Sequence, residues 1–329
     1  MKKIIFFNLL IIIIIFLSFE FLLRFLNLIS LQGYEKNSFY EKNNIQYHSP
    51  NTVKKIMGKK MKTDKNGFRI PLTKFEYNND LQSILVLGDS VSFGVGVEEK
   101  KTFIGILRNK LENNFYNASV TGYRLEDYLF LLKKYNKQFP EIKKYLIFIC
   151  LNDIISESGL LREEKLKIIS NNKNVLTKYF NKSFFIKINF YLRDKSTIFN
   201  LAKAVGTQNV KRHYNYITPY YDNKIILKSY ENTLKKIINY SNLKKINVKF
   251  VLLPYKYQIK RKCDPDLMIP QKKIKRIFNK LNYSLFDFSQ DFCNKDNNSK
   301  LILNFDPMHL SSSGHEFVSE LLIKKGIIN

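Results

Sequence analysis

Ser83-Ile-Leu-Val-Leu-Gly88-Asp89-Ser90-Val-Ser-Phe-Gly94 sets how the rest of this chain is read. The apolar run Ile84 to Leu87 has the length and composition of a strand buried on both faces. It stops abruptly at Gly88-Asp89-Ser90. Gly88 is expected to let the backbone turn, and Gly94 to let the following segment pack closely. A serine at the C-terminal tip of a buried strand sits where open α/β sheets bind ligands. Far downstream, Asp306-Pro-Met-His309 sets a carboxylate and an imidazole three residues apart. Ser90, His309 and Asp306 are a nucleophile, a base and a group that orients the base, the parts of an acyl-transfer site.

Outward from Ser90, strand-like and helix-like segments alternate. Strands are expected at Ile84 to Leu87, Phe115 to Ser119, Tyr145 to Leu151, Val248 to Leu253 and Ser284 to Phe288. Helices are expected at Phe103 to Asn113, Leu125 to Lys137, Ile225 to Leu243 and Gly314 to Lys325. This alternation predicts a parallel sheet covered on both faces. The main domain is expected over 80–329, with an insertion at about 155–221. The insertion reads either as a lid or membrane-facing flap, or as a few ordinary helices and loops. Residues 31–79 read as a connecting region with little core, and Lys65-Asn-Gly67-Phe-Arg69-Ile-Pro71 within it as a turn entering an extended piece.

Residues 1–30 read as a membrane anchor. Met1-Lys2-Lys3 precedes an apolar stretch from Ile4 to Ile29, long enough to cross a bilayer core. Glu20 and Arg24 lie four apart, so on a helix they share a face. A cleaved signal peptide and a buried helix are the alternatives, but no small-residue cleavage pattern follows the run. The two N-terminal lysines favour a cytoplasmic N-terminus with the remainder exported, although Lys36 and Lys42 follow the segment too.

The chain carries a formal charge of +27, and 46 of its 55 basic residues are lysine. Arginine is the better residue for bidentate contacts to phosphates and bases. No nucleic-acid partner is expected, and the lysine excess reads as compositional bias that still favours acidic envelope polymers or anionic lipid surfaces. Cys150 lies in an apolar run and reads as a small buried residue. Cys263 and Cys293 can pair if the domain lies in an oxidising compartment. No metal-site spacing occurs, Gly94-Val-Gly96 lacks the lysine of a phosphate loop, and no cofactor is expected.

Two further segments join the constellation: Asn117-Ala-Ser-Val-Thr-Gly122-Tyr123 after the second strand, and Cys150-Leu-Asn152-Asp153 after the third. Neighbouring parallel strands would deliver Ser90, Gly122 and Asn152 to one edge. With Gly88-Asp89-Ser90, Gly122, Asn152-Asp153 and Asp306-x-x-His309 in this order, the chain resembles the SGNH hydrolases, or GDSL-type esterases. One departure is Cys150, where that family usually has glycine. The resemblance implies a three-layer α/β/α, flavodoxin-like domain. It also implies a catalytic set of Ser90, Asp306 and His309, and an oxyanion hole from the backbone N–H groups of Ser90 and Gly122 with the Asn152 amide. Asp89 and Asp153 read as turn braces, His315 as the start of the last helix, and His48 and His213 have no identifiable partners.

The function implied is a serine ester hydrolase acting on an ester-containing lipid or envelope glycan, with the membrane contacted through residues 4–29. An acyltransferase using the same groups, delivering to a surface polysaccharide, and a non-catalytic binding module on this fold are the alternatives.

Overall fold

The expected first strand is the centre of a sheet. In the computed structural model, which describes residues 2–26, 28–42, 45–155 and 182–328, β6 (Gln82–Leu87) lies between β7 (Asn113–Asn117) and β8 (Lys144–Ile149). β9 (Asn247–Leu252) and β10 (Leu285–Asp287) follow beyond β8, all parallel. The parallel part therefore runs β10-β9-β8-β6-β7. The chain steps from β6 to β7 on one side, then back to β8 on the other. That reversal opens a crevice beyond the C-terminal end of β6, where Ser90 sits, as in the flavodoxin-like order.

Alternation along β6 feeds two cores. Leu85 and Leu87 face one side with Tyr128, Leu131 and Leu132 of α4 (Leu125–Gln138) and with Leu234 and Ile237 of α8 (Lys224–Leu243). Ile84 and Val86 face the other, with Phe103, Ile104 and Leu107 of α3 (Phe103–Lys110) and Val318 and Leu322 of α12 (Ser312–Lys324). Burying each such side chain contributes about 1.5–3 kcal/mol. The three-layer α/β/α expectation is met.

The region 31–79 is more than a connection. β3 (Val53–Ile56), β4 (Lys59–Thr63) and β5 (Arg69–Ile70) extend the same sheet past β7 with antiparallel pairing, so the sheet is mixed at one end. β1 (Phe39–Lys42) and β2 (Ile45–His48) form a separate hairpin. Ile56, Met57 and Met61 pack a third small core against Phe93 and Val95, just after Ser90. The reason for the difference is that the strands are short and the outer two, β3 and β4, are lysine-rich, a composition suited to a sheet edge that repels further pairing.

The expected insertion at about 155–221 falls partly on 156–181, outside the described residues. From Lys182 it consists of successive helices: α5 (Lys182–Lys195), α6 (Thr197–Gly206) and α7 (Asn209–Asp222). α1 (Lys2–Phe25) is 24 residues long, about 36 Å at 1.5 Å per residue, and its large apolar side chains from Ile4 to Phe19 are exposed. It is long and apolar enough to cross a membrane. Its end is tied to the domain. Glu20 accepts from the Ser196 hydroxyl (3.0 Å) and from the backbone N–H groups of Thr197 (2.8 Å) and Ile198 (3.0 Å) at the start of α6. A carboxylate there satisfies N–H groups that have no partner within their own helix. Cys263 and Cys293 are joined by a disulfide, and Cys150 is free and buried.

Candidate active site

Ser90 opens a single-turn helix, α2 (Ser90–Phe93), directly after β6. Asp89 caps it, accepting from the Val91 N–H at 2.9 Å. Gly94 closes it at φ +83°, a left-handed conformation, and a Cβ there would also meet Thr102 Cγ2 at 2.5 Å. Gly88 differs from the sequence expectation. It adopts no left-handed φ, and its contribution is space, since a Cβ would lie 2.1 Å from Ser92 Oγ.

The Asp306–His309 segment is a turn closed by an antiparallel bridge between Ile302 and Leu310. Asp306 Oδ1 accepts from the backbone N–H groups of Met308 (2.9 Å) and His309 (2.7 Å), an Asx-type turn. Its other oxygen, Oδ2, lies 2.8 Å from His309 Nδ1. Lys256, otherwise buried, holds this turn from behind: Nζ donates to the carbonyls of Ile302 (3.1 Å) and Leu303 (2.7 Å).

The two pieces meet. Ser90 Oγ lies 2.9 Å from His309 Nε2 across 219 residues of sequence. Because Asp306 accepts from Nδ1–H, Nε2 is left as the acceptor for the serine hydroxyl. Ser90 and the Asp306 carboxylate are each about 5% exposed and the imidazole 12%. Burial alone would lower the His309 pKa, but the charge of Asp306 and its hydrogen bond outweigh it and raise the value above 6.5. The same pairing holds the Asp306 carboxyl below its ordinary range against burial.

Gly122 and Asn152 follow β7 and β8, whose C-terminal ends share an edge with that of β6. Asn152 is fixed at both ends of its amide: Nδ2 donates to Asp89 Oδ2 (3.2 Å), and Oδ1 accepts from the Tyr255 hydroxyl (2.9 Å). Gly122 has φ +86°, and no atom lies within 4 Å of a Cβ built there. Its conformation, not crowding within the chain, is what calls for glycine. Cys150, at the family's glycine position, is accommodated with Sγ 3.7 Å from Asp89 Oδ1. Asp153 braces the same turn, accepting from the Cys150 N–H (3.0 Å) and the Tyr128 hydroxyl (3.1 Å).

The sequence profile of the GDSL-like lipase/acylhydrolase family matches residues 84–322. The chain belongs to this family. It is a GDSL hydrolase of the SGNH superfamily and acts on ester bonds. No curated protein matches it. Solved structures to which it is similar include a lipolytic protein of the G-D-S-L family from Veillonella parvula, at 14% identity over 74% of this chain and 97% of that one, with a TM-score of 0.41. A lipase/acylhydrolase from Enterococcus faecalis shares 12% identity over 74% and 95%, with a TM-score of 0.42. The psychrotrophic esterase EstA from Pseudoalteromonas sp. shares 14% over 75% and 100%, with a TM-score of 0.40. Family membership rests on the 84–322 match.

Other residues of this hydrolase carry roles that sequence reasoning missed. Arg69, 1% exposed, donates to the carbonyls of Phe93 (2.7 Å), Gly94 and Val97, clamping the chain just past Ser90. Burial lowers its pKa to about 10. His48, also buried, stacks on Phe93 at 3.9 Å, and its Nε2 accepts from the Thr121 N–H at 3.3 Å. The hairpin thus steadies the loop that bears Gly122. The signal for Arg69 lay inside the Lys65–Pro71 turn, but nothing local announced its partners. His315 is fully buried, accepts from the Phe103 N–H and stacks on that ring, with a pKa lowered by burial to about 3. It is part of the core and not a base. A cavity of about 300 Å³ opens beside His309, lined also by Tyr34, Arg193, Lys203, Arg212 and His213. A larger one, about 710 Å³, lies between the end of α1, the Met57–Lys59 turn and Lys300–Asn304, and includes neither Ser90 nor His309.

Proposed function

We propose that this GDSL hydrolase is a membrane-anchored serine esterase that works through an acyl-enzyme, outside the cytoplasm, on a lipid or an envelope glycan. The observation that carries this reading is the continuous hydrogen-bond chain Ser90 Oγ–His309–Asp306, with links of 2.9 and 2.8 Å. His309 Nε2 takes the hydroxyl proton as Ser90 Oγ attacks the ester carbonyl carbon. Asp306 stabilises the imidazolium that results. The tetrahedral oxyanion is held by the backbone N–H groups of Ser90 and Gly122 and by the free N–H of the Asn152 amide. It collapses as the C–O bond to the alcohol breaks, and His309 gives its proton to the departing oxygen. Water then repeats the cycle, releasing the acid and restoring Ser90.

The anchored, exported placement draws on the exposed apolar α1, the lysines at its N-terminus, and a disulfide of the sort that persists in oxidising compartments. Hydrolysis of 4-nitrophenyl acetate by the full chain in non-ionic detergent tests the chemistry. Ser90→Ala is expected to remove turnover while the unfolding midpoint stays close to that of the parent. Undiminished turnover in that variant takes Ser90 out of the mechanism.

A further inference from the structure

The cavity beside His309 has an unusual charge. Arg193 comes from α5, Lys203 from α6 and Arg212 from α7, and all three line it. Their described hydrogen-bond partners are neutral. Arg193 donates to Gln32 Oε1 through Nε (3.1 Å) and Nη2 (2.8 Å), Lys203 to Asn189 Oδ1 (2.5 Å), and Arg212 to Asn209 Oδ1 (3.1 Å). Among the described residues no carboxylate forms an ion pair with any of them. The nearby negative charge is Asp306, already engaged with His309. The three are close enough to disfavour one another's charge: after burial, Arg193 and Arg212 each depress the Lys203 pKa. Three cations at a cleft whose one nearby carboxylate among the described residues is already engaged are unfavourable in the empty protein and favour an anionic guest. His213 lines the same space, and its buried Nε2 has no hydrogen-bond partner.

The side of the site matters. In ester cleavage the imidazole that receives the serine proton hands it to the departing alcohol, so the alcohol lies on the imidazole side. The cations line a space bounded by His309, Asp306 and Met308, which is that side. Two planar guanidinium forks and one ammonium suit the several oxygens of a phosphate better than the two of a carboxylate.

We infer that the alcohol portion of the substrate carries a phosphate group, held by Arg193, Lys203 and Arg212 beside His309. The alcohol-side assignment rests on the esterase reading. The phosphate is that of a sugar or that of a glycerolipid head group, and matched esters separate the two. The first pair is mono-O-acetylglucose 6-phosphate with mono-O-acetylglucose. The second is 1-acylglycerol 3-phosphate with 1-monoacylglycerol. All are measured with the full chain in non-ionic detergent.

The phosphorylated member of at least one pair is expected to have a kcat/KM about tenfold higher or more. That preference is expected to shrink as salt rises from about 0.05 to 0.5 M. Lys203→Gln and Arg212→Gln are each expected to bring it toward unity. Equal rates within both pairs, or a preference intact in both variants, overturns the inference while leaving the esterase reading in place. Calorimetric titration of the Ser90→Ala chain with glucose 6-phosphate and glycerol 3-phosphate supplies a readout that needs no turnover. Should no ester be cleaved, the esterase reading falls and the titration decides alone: binding of either phosphate, weakened in Arg212→Gln, upholds the anion site, and absence of binding overturns it.

Discussion

The chain of Ser90, His309 and Asp306 was legible because its residue types and local spacing are written in the sequence. A carboxylate three residues before a histidine can close a turn on itself and still reach Nδ1, and Asp306 does both with its two oxygens. The places of Arg69, His48 and the cavity cations were not legible. Arg69 acts on carbonyls 24 to 28 residues away, and a lone arginine in a lysine-rich chain gives no hint of that. The Asp306–His309 pair has a direct kinetic consequence. The base must be neutral, and Asp306 raises its pKa above 6.5 against the effect of burial. kcat/KM is therefore expected to rise with pH through a midpoint above that value. In Asp306→Asn the charge is gone and burial remains, so the midpoint should move down while the rate at its plateau falls by about 10⁴. A pH–rate profile of both proteins checks this. An unchanged midpoint would mean that Asp306 does not tune the imidazole.

At the level of elements, the strands and helices that carry the site were readable from apolar runs and their alternation. β6 to β10 and the helices α3, α4, α8 and α12 fall within a few residues of expectation. Residues 31–79 were not, because Val53-Lys-Lys-Ile56 and Lys59-Lys-Met-Lys-Thr63 look polar when read alone. Only pairing in the sheet reveals that Ile56 and Met61 face a core. This region is bound to the site by Arg69. Replacing Arg69 with Met keeps much of the volume but strands the Val97 carbonyl and leaves those of Phe93 and Gly94 only donors at 3.4 Å, Asn117 Nδ2 and the Val97 N–H, at a cost of about 1–3 kcal/mol. Urea unfolding should show a correspondingly lower midpoint with an unchanged slope. A variant as stable as the parent would show that the clamp contributes nothing net.

Across the whole molecule, the sheet order converts distance in sequence into proximity. β6 lies at the switch in strand order, and the turn holding His309 returns from the far end of the chain to meet it. α1 is fastened to α6 through Glu20, and the other half of α6 presents Lys203 to the cavity beside His309. The apolar helix and the cleft are thus two ends of one short connection. The break in periodicity after β8 was visible, but how α5, α6 and α7 come together beside His309 was not, since no local pattern encodes it.

The most direct measurement is acid-quench mass spectrometry of the full chain during turnover of a slowly deacylating ester. An acyl-enzyme at Ser90 predicts an added acyl mass on the peptide that contains it, absent in Ser90→Ala and greatly reduced in His309→Ala. Turnover with the acyl group on another residue, or with Ser90 unmodified at every quench time, would contradict it.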